Sequence, residues 1–156
     1  MEGGQVRTAI YGGCNSSGAV SGVVNVNVLG GTLGTDADHT INIHGGGYGQ
    51  ATSTGNDVTV NIGQESKSAA YPTIWGDVYG GANAAYVDGD VTLTLKGGNS
   101  IDYVFGGSKS VADEDHVGGY AINGSVTLSG NAEVMGNVYG GGNKAAVEGN
   151  TGVKME

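Results

Sequence analysis

Short stretches of strict apolar–polar alternation recur along the chain. They read Val24-x-Val26-x-Val28, Val58-x-Val60-x-Ile62 and Val91-x-Leu93-x-Leu95, with shorter versions at Val126-x-Leu128 and Val153-x-Met155. A period of two is the signature of a strand with one buried face. No stretch of useful length carries an apolar period of 3.6, and Gly-rich corners would interrupt any helix. A second unit, an aliphatic residue, a ring and two glycines, occurs at Ile10-Tyr11-Gly12-Gly13, Val78-Tyr79-Gly80-Gly81, Val104-Phe105-Gly106-Gly107 and Val138-Tyr139-Gly140-Gly141. The variant Ile43-His44-Gly45-Gly46 fills the gap in the series. Ring positions are spaced by 33, 35, 26 and 34 residues. A third apolar position precedes the ring unit: Val6, Ile74 and Val134 lie four residues ahead of its aliphatic residue, and Ile101 lies one residue short of that spacing.

Strand, corner, strand, corner in a period of roughly 26–35 residues predicts an all-β chain folded as a parallel β-helix, or β-solenoid. Residues 1–156 are expected to form one repeat domain of about four complete coils with partial coils at both ends. The general preference of parallel connections predicts a right-handed path. An antiparallel sandwich or barrel is the main competitor, but its hairpins would join neighbouring strands by tight two-residue turns, whereas like units here recur at long intervals. The 26-residue interval is too short for a four-stranded propeller blade. Neither end carries an obvious capping element, so the chain reads as a fragment of a longer repeat protein that would associate through its uncapped coils.

Composition sharpens this picture. Glycine occurs 33 times, roughly three times its usual frequency, without the every-third-residue spacing of collagen. Pro72 is the one proline, which argues against a disordered Pro/Gly linker. Fifteen Asp and Glu face six Lys and Arg, with Arg7 the one arginine, so the phosphate contacts that nucleic acid requires are hardly available. Cys14 is the single cysteine and cannot form an internal disulfide. No apolar run is long enough to span a membrane as a helix, and the opening Met-Glu-Gly-Gly-Gln lacks the basic and apolar regions of a signal peptide.

Candidate sites follow from the repeat. Tyr11, His44, Tyr79, Phe105 and Tyr139 should form a column of rings, which either packs coil on coil or offers a stripe to a glycan or a partner protein. Asn15, Asn83 and Asn143 each follow a ring by four residues and predict a corner ladder, which Lys109 should break in the fourth repeat. The polar positions Asn25, Asn27, Thr59, Asn61, Thr92, Thr94 and Thr127 predict an exposed strand face, too irregular for an ice-binding array. Acidic loops at Asp36–His39, Asp88–Asp90 and Asp113–His116 offer oxygens of the kind Ca²⁺ takes, the cluster near Asp113 foremost, but they match no calcium-loop spacing and read as solvated charge. His44 stands as a packed substitute for a ring, and Cys14 shares its position with Gly47, Ala82, Ser108 and Gly142, all small. No cofactor, metal or catalytic residue is expected.

The Val-Tyr-Gly-Gly-Gly-Asn string at residues 138–143 and its relatives resemble the Gly-rich β-strand repeats of adhesin-like and autotransporter-like bacterial surface proteins. The resemblance covers nearly the whole chain, and it is specific for a solenoid repeat rather than for an activity. It implies a structural or adhesive module, a stalk or adhesin repeat, in an extracellular or cell-surface parent. It supplies no catalytic residues. Pectate lyases, polygalacturonases and phage tailspikes share the architecture, which keeps a carbohydrate-binding or polysaccharide-degrading β-helix as the alternative. Enzyme chemistry is not expected, because the carboxylates fall mostly in loops and corners and the basic residues are scattered over different repeats.

Overall fold

Valine, isoleucine and threonine fill the strand positions, and their stiff branched side chains pack well on a pleated surface. A computed structural model describes residues 1–65, 70–110 and 119–156 of the protein. Among the described residues fourteen strands, and no helix, join in one parallel sheet that winds through about four turns of a β-solenoid. The expected fold class is thus the observed one.

The alternating segments build the first wall. Strand β4 (Val24–Val28) pairs with β8 (Val58–Ile62), which pairs with β10 (Tyr86–Phe105); that strand meets β11 (Tyr120–Val134), and β11 meets β14 (Thr151–Met155). The register places Val26, Val60, Leu93, Val126 and Val153 in one interior row. A second wall carries the ring motif, running from β2 (Ala9–Tyr11) through β6 (Asn42–His44), β9 (Thr73–Tyr79) and the end of β10 to β12 (Val138–Tyr139). The third wall stacks β3 (Asn15–Val20), β7 (Tyr48–Thr54), the starts of β10 and β11, and β13 (Ala146–Val147). Strand β10 is 20 residues long because its pairing continues through both corners of its coil, although Ser100 within it turns left-handed (φ 62°). Walls close on a core of Val, Ile and Leu in which Leu33, Ile43, Val60, Ile74 and Leu93 are fully buried.

Two irregularities of spacing have structural answers. Ile101, one residue short in the sequence pattern, is accommodated by register shifts on both sides of it, between Asn99 and Ile101 and between Ile101 and Val104. The second repeat, which shows no apolar residue at the expected place, takes Leu33 in β5 (Thr32–Leu33), paired with β1 (Gln5–Val6) on one side and with Ile74 of β9 on the other. The long connection before His44 therefore follows this short strand.

The Gly-Gly corners are steric. A Cβ on Gly12 would land on the Gly45 carbonyl oxygen, one on Gly45 on the Gly80 carbonyl, and one on Gly106 on the Gly140 carbonyl. Successive coils approach so closely here that only glycine fits. Beyond this corner the residues after Asn15, Tyr48, Asn83 and Asn143 turn left-handed, at Ser16 (φ 69°), Gly49 (φ 97°), Ala84 (φ 56°) and Lys144 (φ 57°). The conformation belongs to the coil, since it recurs whatever the side chain.

Candidate functional site: the ring column and its open end

Each ring follows an inward aliphatic residue, so strand alternation turns it away from the core and over the ring below. The structure brings all five together. Tyr11 stacks on His44 at 5.1 Å and 4°, His44 on Tyr79 at 4.8 Å and 9°, Tyr79 on Phe105 at 4.9 Å and 4°, and Phe105 on Tyr139 at 5.0 Å and 8°. The spacing is the distance between adjacent strands, so parallel in-register pairing imposes the stack. His44, Tyr79 and Phe105 are buried, at 1%, 0% and 7% exposure, whereas Tyr139 at the end is 44% exposed. A ligand could reach only the ends of the column.

Ring tips and ladder residues interlock two coils apart. Asn83 Nδ2 donates to the Tyr11 hydroxyl at 3.4 Å, and Asn143 Nδ2 donates to the Tyr79 hydroxyl at 3.3 Å. The second ring, His44, faces the fourth ladder residue, Lys109, by the same offset. Lys109 also places its ammonium 5.5 Å from the centre of the Tyr79 ring. The expected break at Lys109 does not occur in the backbone, where Asn15, Tyr48, Asn83, Lys109 and Asn143 form a continuous parallel ladder. Tyr48 completes that ladder, an aromatic at a position that asparagine occupies in three of the other coils. Asn15 is exposed and accepts from the Ser16 hydroxyl at 3.2 Å.

Electrostatics follow burial. His44 Nδ1 has no hydrogen-bond partner, and desolvation, reinforced by the positive charge of Lys109, pushes the imidazole pKa down to about 3. His44 is therefore neutral at ordinary pH. Burial pushes the Tyr79 phenol above the usual tyrosine range, with the Asn143 hydrogen bond opposing and Asp77 adding to the rise. Tyr79 donates to Asp77 Oδ2 at 2.9 Å, and the backbone N–H of Tyr103 donates to Asp77 Oδ1 at 3.2 Å.

Several other candidates are engaged by hydrogen bonds, most of them between coils and those of Asp36 within its own loop. Asn61 donates to Asn27 at 2.9 Å across the polar face of the alternating wall. Asp57 accepts from the Asp90 N–H at 3.0 Å, Asp90 accepts from Asn123 at 2.7 Å, and Asn123 accepts from the Asn150 N–H at 2.6 Å. Asp88 accepts from the Tyr120 hydroxyl, and this bond above all pushes the phenol up to about 12. Asp36 accepts the N–H groups of Asp38 and His39 and contacts the His39 ring, which lowers its pKa. The Asp113–Asp115 loop lies outside the described residues. Among the described residues no group of three or more His, Cys, Asp or Glu is placed to hold a metal, and no helix is long and apolar enough to cross a membrane. Cys14 is free and half-buried in its row of small residues.

Where the stack runs out, a groove of about 440 Å³ opens between Asp77, Tyr103, Phe105, Tyr139, Asn143 and Lys144. Tyr103 is 44% exposed, lies against Gly136, and sits 6.5 Å from Phe105 at a 34° tilt. The repeat gave no reason to single out Tyr103, because it occupies a column shared with Asn42 and Asp77 rather than the ring column. No protein-family model matches the chain, and no curated protein or solved structure matches it.

Proposed function

We propose that the protein is a structural module, a stalk or adhesin repeat, of a larger extracellular protein displayed on a bacterial surface. The observation that carries this reading is the ring column. Its stacking, with two-coil hydrogen bonds from Asn83 and Asn143, commits the repeat's most distinctive side chains to holding coils in register. Such a stack makes a rod that keeps its direction over many coils. The Gly-rich repeat resemblance supports the surface location. The reading involves no catalytic step: glycoside hydrolysis calls for two carboxylates flanking a bond, and Asp77 is the one carboxylate among the described residues lining the groove. Strand β14 leaves Val153 and Met155 at 47% and 82% exposure, so copies of the isolated chain should associate through this coil.

The test is location. Antibodies raised against the chain should label intact cells of the source, and brief protease treatment of those cells should remove the signal. Labelling that appears only after permeabilisation would overturn the surface reading.

A further inference from the structure

We propose that Tyr86 and Tyr120 form a modification site, a phenol pair that couples oxidatively into a dityrosine bridge between two neighbouring coils when a haem peroxidase and hydrogen peroxide act on it. The inference goes beyond the surface-module reading and stands wherever the protein is located, since residues in the middle of the stack carry the chemistry.

Register sets the pair. Tyr86 of β10 lies opposite Tyr120 of β11, and the next residues along, Val87 and Ala121, are fully buried. Strand alternation therefore turns both tyrosines outward on the third wall. Their ring centres lie 5.2 Å apart at 60°, an edge-to-face contact. Both tyrosines are half-buried, and the same row carries Ser53 on the coil before and Ala146 on the coil after. Those small neighbours leave the rings room to swing from edge-to-face to edge-to-edge, the approach that joining two ring carbons requires. A coil flanks the pair on each side, so its surroundings are those of the interior of the stack.

The other rings lack this arrangement. In the ring column no two phenols are adjacent, because Tyr11, Tyr79 and Tyr139 meet only His44 or Phe105 along the stack. Tyr11 and Tyr48 lie 5.4 Å apart at 52°, but the Tyr11 hydroxyl meets the Asn83 amide rather than a carboxylate. The Tyr120 hydroxyl, in contrast, donates to the exposed Asp88, two residues beyond Tyr86. A phenol gives up an electron more readily when a base takes its proton in the same step, and Asp88 stands at that proton. The same bond keeps the phenol neutral at ordinary pH, so the protonated form is the one that reacts.

Each ring loses one electron to the oxidised haem. The hydroxyl proton of Tyr120 passes to Asp88 and on to water, and that of Tyr86 passes to water directly. The two phenoxyl radicals join through a bond between the carbons next to their oxygens. Hydrogens on those carbons then move to the oxygens through solvent, which restores two phenols. Peroxide takes up the two electrons and two protons and leaves as water.

Treatment of the whole chain with hydrogen peroxide and a haem peroxidase, followed by peptide mapping in a mass spectrometer, tests the site. The expected product is a single chain lighter by two hydrogens, fluorescent as dityrosine, in which the peptides holding Tyr86 and Tyr120 are joined. The bridge ties together positions one coil apart and restricts the unfolded chain, so the product should need more urea to unfold than the untreated protein. Tyr120→Phe should abolish the joined peptides, and Asp88→Asn should slow their formation about tenfold. Melting curves check that both variants keep the fold. Absence of the 86–120 product in the unsubstituted chain would overturn the proposal, as would a larger yield at Tyr11 and Tyr48, coupling only between copies, or an unchanged rate in Asp88→Asn. Since the map of the unsubstituted chain is decisive alone, a variant that misfolds leaves the proposal open to refutation.

Discussion

Leu93 and Val153 occupy the same interior row, one in the middle of the stack and one in the last coil, yet Leu93 is fully buried and Val153 is 47% exposed. The ring column repeats the contrast, with Tyr79 fully buried and Tyr139 44% exposed. The motifs around the two tyrosines are nearly identical, Val-Tyr-Gly-Gly in both. What differs is the presence of a coil on each side. Burial in a solenoid is conferred by neighbours, so one motif serves as core in one coil and as surface in the next. The largest expected effect tests this directly. Tyr79→Ala should cost about 3–5 kcal/mol of unfolding free energy, since it leaves a void between His44 and Phe105 and removes hydrogen bonds to Asp77 and Asn143. Tyr139→Ala should cost about 1 kcal/mol or less, because its outer face already meets solvent. Equal losses in urea titrations of the two variants would break the comparison.

Glycines extend the same contrast. Gly45→Ala drives a methyl into the Gly80 carbonyl and the Val58 and Val60 side chains, and should destabilise by the upper end of about 1–3 kcal/mol. Gly152, in the last coil, has nothing within 4 Å of an added Cβ. Gly152→Ala should shift the urea midpoint little, and a loss comparable to that of Gly45→Ala would show the last coil to be packed as tightly as the middle.

Much of this architecture was legible because a repeat fixes one coil and then copies it. Period-two alternation located the first wall, and the recurrent ring motif located the second and put five rings in one column. Two things were not legible. Leu33 was missed because its strand is two residues long, too short to show alternation, and its role becomes visible only when Val6 and Ile74 are stacked on it. Which rings remain accessible could not be read at all, since Tyr79 and Tyr139 have the same local sequence. The groove joins Asp77, Tyr103 and Lys144 from three coils, and no local motif brings such residues together.

His44 sharpens the comparison between ring positions with pH. An unfolded histidine takes up its proton near pH 6.5, whereas the buried imidazole resists protonation until about pH 3. Between those values the unfolded state binds the extra proton, so stability falls as the solution is acidified. His44→Phe, which copies the ring at position 105, should remove this component. The advantage of the variant over the parent should grow by about 1 kcal/mol for each unit below pH 6.5. Urea titrations at pH 7, 6, 5 and 4 measure it, and a difference that stays constant with pH would mean that His44 is solvated.

The smallest effect concerns the partner two coils away. Tyr11 with Asn83 and Tyr79 with Asn143 share one arrangement, a phenol accepting from an amide, and the intervening His44 with Lys109 departs from it at both places. A tyrosine at position 44 alone would face the Lys109 side chain, and an asparagine at position 109 alone would face an imidazole and give up the lysine's contact with the Tyr79 ring. His44→Tyr and Lys109→Asn together should regenerate the hydrogen bond seen in the flanking pairs. The double variant should therefore be more stable than the sum of the single changes by about 0.5–1.5 kcal/mol. Additivity within about 0.3 kcal/mol would show that the ring column is held by stacking between adjacent coils alone, and that the two-coil bonds merely occupy surface already fixed.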